Sequence, residues 1–163
     1  LNPNFSRAYY NRGIIRQAGG DLDGALADHT LSVQLNPRYA EAWNNRGVTH
    51  SLRSKRRGAE GRTRDARLEN EAALENFARA ISLRLDYADA WLNRGIVRAA
   101  LREDPFPDLN EAIRLRPKWG FAYLVRARVR QDRGDFPEAR RDAARAVSLD
   151  ASLQASLADL LGA

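Results

Sequence analysis

Asn11, Asn45 and Asn93 each stand directly before an arginine, Arg12, Arg46 and Arg94, and Val125 with Arg126 closes the series. An asparagine amide is donor and acceptor at once, so it can hold the carbonyl and the amide hydrogen of one peptide unit without reading its side chain. A guanidinium presents a rigid fork of donors that matches a carboxylate. Tyr10, Ile14, Val48, Leu92, Ile96 and Leu124 surround the asparagines in sequence and offer apolar contact. A second concentration of chemistry is basic. Arg53, Lys55, Arg56, Arg57, Arg62, Arg64 and Arg67 face only Glu60 and Asp65 in the same stretch, which places +5 of the chain's net +6 there. Such a stretch suffices for weak, salt-sensitive attachment to phosphates. Specific single-strand recognition also needs stacking rings, and none occurs from 44 to 76.

Other chemistries are disfavoured. The absence of Cys removes disulfides, thiolate metal sites and cysteine nucleophiles. The two histidines, His29 and His50, have no framed nucleophile, and core or half-buried roles suit them better than metal binding. Gly19 with Gly20, and Gly58 with Gly61, do not follow a strand, so no phosphate cradle is expected. No catalytic residue, metal or cofactor is therefore assigned. The chain has 44% hydrophobic and 29% charged residues and no apolar run long enough for a membrane span.

The elements that would position these residues are repeated. "LNPNFSRAYYNRG" from 1, "LNPRYAEAWNNRG" from 35, "LRLDYADAWLNRG" from 83 and "LRPKWGFAYLVRA" from 115 align without gaps, and "LDASLQASLADLL" starts again at 149. The successive starts lie 34, 48, 32 and 34 residues apart. Each unit reads as two amphipathic helices joined by a polar turn such as "GGD" at 19–21 or "RGD" at 133–135.

This pattern resembles the tetratricopeptide repeat family. Tyr9, Gly13, Ala25, His29, Ser32 and Pro37 match in the first unit, and Trp43, Gly47, Ala73, Phe77 and Ala80 in the second. Trp91, Gly95, Leu109, Ala112 and Pro117 match in the third, and Tyr123, Ala127, Ala139, Ala143 and Ala146 in the fourth. The resemblance implies an all-α, right-handed superhelix of four helix-turn-helix repeats in one domain, 1–163. Repeats are expected at 6–39, 40–87, 88–119 (shortened) and 120–151, with a capping helix over 152–161. First helices of the family line a concave groove, which places Asn11, Asn45 and Asn93 as a ladder toward a bound peptide, flanked by the six apolar residues above. Some of those six could instead pack between helices. A carboxylate clamp is not expected, because Tyr10, Asn44, Asp89 and Phe121 stand where its lysines would be. In the same frame Asp28, Asn76, Asp108 and Asp142 share one position, which predicts an intra-unit pairing with Arg12, Arg46, Arg94 and Arg126.

The 14 extra residues of the second unit, about 54–67, predict a mobile loop over 54–62, with Thr63 capping an extended second helix. Pro105 and Pro107 predict a distortion in the third unit, with its second helix starting near Pro107. Leu1, Asn2 and Pro3 repeat the end of a unit, which predicts a longer array or self-association that shields the first helix. The leading function is a non-enzymatic scaffold for an extended or helical peptide of a partner protein. Binding of nucleic acid or another polyanion through 53–67 is the weaker alternative. Localisation is left open, with the cytoplasm as default.

Overall fold

The computed structural model describes residues 3–162, with side chains from Phe5 onward. Expectations resting on residues 1 and 2 lie outside the described residues. The helices are α1 (Pro3–Ala18), α2 (Leu22–Leu35), α3 (Ala40–Ala59), α4 (Thr63–Leu83), α5 (Ala88–Ala100), α6 (Phe106–Leu115), α7 (Gly120–Asp132) and α8 (Phe136–Leu149). Two 3-10 turns, Ala151–Leu153 and Ala155–Leu157, lead into a last helical turn, α9 (Ala158–Leu161). Consecutive helices pack as antiparallel pairs, each pair stacks on the next, and α1, α3, α5 and α7 touch in succession. The result is an all-α superhelical solenoid with the first helix of each pair inside.

One device closes every first helix. The Gly20 amide donates to Gln17 O at 3.1 Å and the Asp21 amide to Arg16 O at 2.9 Å. The same pair of bonds recurs at Gly61 with Arg62, Arg102 with Glu103, and Gly134 with Asp135. This is the Schellman arrangement, and its reversal residue must be left-handed. Glycine supplies that at φ 84°, 74° and 80° for Gly20, Gly61 and Gly134, whereas in the third pair Arg102 is held at φ 64°.

Between the helices of a pair, a gap in one meets bulk in the other. A Cβ on Gly13, Gly47 or Gly95 would come within 2.6–2.7 Å of the side chains of His29, Phe77 and Leu109 respectively. The fourth pair solves the same problem with two fully buried alanines, Ala127 and Ala143.

Charge then ties the two helices together. Asp28 is 1% exposed and accepts from Arg12 Nε and Nη2 at 2.8 and 2.7 Å and from Arg16 Nη1 at 3.0 Å. Asp108 receives Arg94 at 2.8–2.9 Å and Arg98 at 3.2 Å, and Asp142 receives Arg126 at 2.7–2.8 Å and Arg130 at 2.8 Å. The intra-unit pairing is therefore present, with a second arginine one turn later that the sequence reading had not included. The Arg12 bonds, together with Arg16, hold the Asp28 carboxyl below its ordinary range. Each first arginine also stacks on an aromatic ring: Arg46 lies 4.5 Å from the Trp43 centroid and Arg94 4.7 Å from Trp91. Those two indoles donate onward to Pro37 O and Leu85 O at 3.0 and 2.9 Å, fastening the joint to the preceding link.

The second pair obeys the same charge logic. Its shared position is Asn76, which meets a single arginine, Arg46 Nε, at 2.6 Å, and His50 replaces the second arginine. The joint reappears two turns outward, where Arg53 Nε and Arg57 Nε converge on Glu69 Oε1 at 2.8 and 3.0 Å. Arg53 and Arg57 are spaced as Arg12 and Arg16 are.

That arrangement corrects the mobile loop expected over 54–62. α3 has 20 residues against 13 in α5 and α7, and α4 has 21 against 14 in α2 and α8. The insertion is divided equally between the helices, and seven residues are close to two turns, so every face keeps its direction to within about 20°. Only 60–62 form the turn, and Thr63 is the first helical residue of α4, not its cap. The cap expected over 152–161 is likewise broken rather than one helix. It still covers α8, because Leu157 is fully buried and Leu160 is 3% exposed against Ala139, Ala143 and Ala146. α6 begins at Phe106, one residue before Pro107, with Pro105 buried ahead of it.

Replacing Arg102 by Gly should raise stability by about 0.5–1 kcal/mol, since left-handed strain of about 1–2 kcal/mol outweighs the added chain entropy; urea unfolding reads this directly. Asp108→Asn should cost about 3 kcal/mol by leaving Arg94 and Arg98 facing a neutral amide. Adding Arg98→Gln should return part of that loss. A double-mutant cycle with no coupling would show that the two arginines do not share the carboxylate.

Candidate functional site

The first helices carry the asparagine row, and two of its three amides are partly engaged. Asn45 Nδ2 donates to Tyr10 Oη at 3.0 Å and Asn93 Nδ2 donates to Asn44 Oδ1 at 3.1 Å, in both cases crossing to the preceding first helix. An amide nitrogen has two hydrogens, so Asn45 and Asn93 each retain one donor and the carbonyl. These bonds orient the side chains, which reduces the freedom a ligand must freeze. Asn11, on the exposed surface of α1, lacks such a cross-link. Tyr10 packs 4.9 Å from the Tyr39 ring, and burial, then the Glu41 charge, raises its phenol above the ordinary value.

The apolar set divides. Ile14 is 37% exposed, and Val48, Ile96 and Leu124 are half-buried, each packed on its inner side against a core cluster. Leu92 does not face a groove. It is 2% exposed and sits in the core with Leu109, Ala112 and Ile113, because α5 is enclosed by α6 and α7. Between α3, α4 and α5 lies a pocket of about 200 Å³ whose lining includes Val48, Asn93 and Ile96. Ser51, Leu52 and Lys55 also line it, and these the sequence reading passed over. Their signal was the helical spacing of Val48, Ser51 or Leu52, and Lys55, which puts them on one stripe.

The basic residues are mostly held within the protein. Arg53 and Arg57 bind Glu69, whose carboxyl burial would push up; hydrogen bonds from His50 and Arg53 outweigh this and leave it low. Arg53 and Arg56 also reach Asp23 on α2, Arg62 pairs with Asp65 at 2.6 Å, and Arg67 with Glu71 at 3.0 Å. Lys55 and Arg64 are exposed and have no acidic partner among the described residues. Five of the seven basic residues are thus paired in a helical hairpin that braces the first pair.

His29 is fully buried, neither ring nitrogen has a hydrogen-bond partner among the described residues, and its pKa is lowered to about 4 by burial. It fills the space at Gly13 and takes no part in any cluster. His50 Nδ1 lies 2.7 Å from Glu69 Oε2, so it belongs to the hairpin joint. Among the described residues no group of three His, Asp or Glu side chains is arranged to hold a metal ion, and no helix is long and apolar enough to cross a membrane.

No protein-family model matches the chain. Over 67 residues it is 40% identical to the photosystem I assembly protein Ycf3 of Rippkaea orientalis, a stretch covering 40% of this chain and 38% of that relative. A thermophilic TPR protein, TTC0263 of Thermus thermophilus, superposes with a TM-score of 0.85 at 23% identity, over 99% of this chain and 84% of that one. The first TPR of Spaghetti (RPAP3), bound to the HSP90 peptide SRMEEVD, superposes at 0.70 with 19% identity, over 82% and 97% of the two chains. An O-GlcNAc transferase of Thermobaculum terrenum matches at 0.73 and 18% identity, over 89% of this chain but 26% of its own.

Because the folded pKa of His29 lies below the unfolded value of 6.5, stability is full above pH 6.5 and falls as pH drops toward 4. The loss should reach about 3 kcal/mol. His29→Phe, which copies the Gly47 and Phe77 contact, should flatten the urea-midpoint profile between pH 6.5 and 4; an unchanged slope would show that His29 is not its source.

Proposed function

For this chain, which has the tetratricopeptide-repeat fold, we propose a non-enzymatic role as a scaffold that holds an extended peptide of a partner protein along its inner face. The observation that carries this reading is the asparagine row. Asn45 and Asn93 sit at equivalent places on successive first helices, are oriented by Tyr10 and Asn44, and keep a donor and an acceptor each. A peptide backbone repeats the complementary pair of groups, so amides presented at intervals along a solenoid hold it irrespective of side chains. Half-buried Val48, Ile96 and Leu124 beside the row give apolar contact for alternate side chains. The first TPR of Spaghetti, which has the same fold, is bound to a peptide, and this supports the reading.

A peptide selected from a random display library provides the probe. Asn45→Ala with Asn93→Ala should weaken it about tenfold or more, because each lost amide contact contributes about 0.5–1.5 kcal/mol. Unchanged affinity in a variant with an unchanged melting curve would sink the ladder.

A further inference from the structure

The first helical pair exposes a face that every later pair covers. Phe5, Ala8, Arg12 and Ile15 recur at helical spacing along one stripe of α1. Phe5 is 60% and Ile15 72% exposed, and Ala8 is exposed between them. In the repeat frame Ala8 corresponds to Ala42, Ala90 and Ala122, and Ile15 to Thr49, Val97 and Val129, all of which are buried. The cover comes from the preceding pair. Thr49 Oγ1 donates to Gln17 Oε1 on α1 at 2.7 Å, Val97 packs on Ala73 and Phe77 of α4, and Ala122 and Val129 pack with Leu109 and Ile113 of α6. Arg12 shows the same contrast, with its side chain 54% exposed against 16% for Arg94 and Arg126. On α2, exposed Leu31 lies one turn beyond Asp28, where the other second helices carry Arg79, Glu111 and Arg145.

We propose that this face is the contact between two copies of the chain, with α1 packed antiparallel on α1 of the second copy about a two-fold axis. The stripe is self-complementary. Phe5 and Ile15 lie five residues either side of Tyr10, and Ala8 and Arg12 lie two either side. An antiparallel contact centred there sets Phe5 against Ile15 of the second copy, and small Ala8 beside the long Arg12 of the second copy, as an isologous contact requires. From Phe5 to Leu35, Arg7, Arg12 and Arg16 are matched by Asp21, Asp23 and Asp28, so like copies meet without net repulsion. The other end of the solenoid offers no comparable face, because Leu157 and Leu160 of the cap cover α8 and leave Ser152, Gln154, Ser156 and Asp159 outward. With one open apolar end in each chain, association closes at two copies and forms no filament. The contact is separate from Asn45 and Asn93 on α3 and α5, so the peptide reading neither requires nor excludes it.

Light scattering on the whole chain from about 1 μM to about 1 mM should show the weight-average mass rising from monomer to dimer and stopping there. Ile15→Asp and, separately, Phe5→Asp change exposed positions, and circular dichroism should show the fold intact. Each should weaken the dimer about tenfold or more, because a carboxylate enters an apolar contact. Phe136→Ser, at an exposed ring on α8, should leave the dimer unchanged. The chain has no cysteine, so introduced thiols report the geometry. Phe5→Cys mixed with Ile15→Cys should form an interchain disulfide under mild oxidation. Neither alone should do so, since two copies of one such residue lie about 15 Å apart along the contact and a disulfide needs Cα atoms within about 7 Å.

A chain that stays monomeric at about 1 mM, or that grows past the dimer, would overturn the proposal. So would a dimer indifferent to both aspartate variants, or one lost in Phe136→Ser. Cross-linking of either cysteine variant alone as readily as the mixture, or no cross-linking of the mixture, would reject the antiparallel contact.

Discussion

A carboxylate that is 1% exposed between two helices is tolerable only with cations at hydrogen-bond distance, and in this chain two guanidinium groups share each one. Arg12 with Arg16, Arg94 with Arg98, and Arg126 with Arg130 all extend from the first helix to an aspartate on the second. The bidentate arginine fixes rotation as well as separation. Fixing the rotation of the first helix decides which of its residues meet the neighbouring first helices and which stay exposed. Stacking of the same arginine on the aromatic ring one turn earlier connects the joint to the link between pairs.

The second pair shows how strict this constraint is. Where the acid becomes Asn76, the second arginine becomes His50, so one carboxylate and one guanidinium are replaced together. The displaced joint at Glu69 then holds the added length together with Arg53 and Arg57. Because the added length is seven residues on each helix, it extends the hairpin without rotating it. The extension also changes the inner face, since Lys55 and its neighbours belong to turns that the other first helices lack.

The inner face is a compromise between packing and presentation. Leu92 and Asn44 face core contacts, while Asn45 and Asn93 keep bonding capacity in reserve. The cross-links to Tyr10 and Asn44 orient Asn45 and Asn93, which under the proposed function lowers the entropy lost when a peptide is bound.

The sequence by itself determined the unit and its four-fold recurrence, and the aligned repeat, set beside the family it resembles, led to the pairing of Arg12, Arg94 and Arg126 with their aspartates and to the core role of His29. It also located the insertion. Only the tertiary structure decided what the insertion became. A run rich in arginine with two glycines reads as a solvated loop when its partners are unknown, and Glu69, Asp23 and His50 become partners only when two helices face each other. The same holds for Leu92 and Lys55. One apolar residue on an inner stripe is enclosed by its neighbours, and one cation in a basic run reaches a pocket rim, for reasons of packing between separate helices that local pattern does not contain.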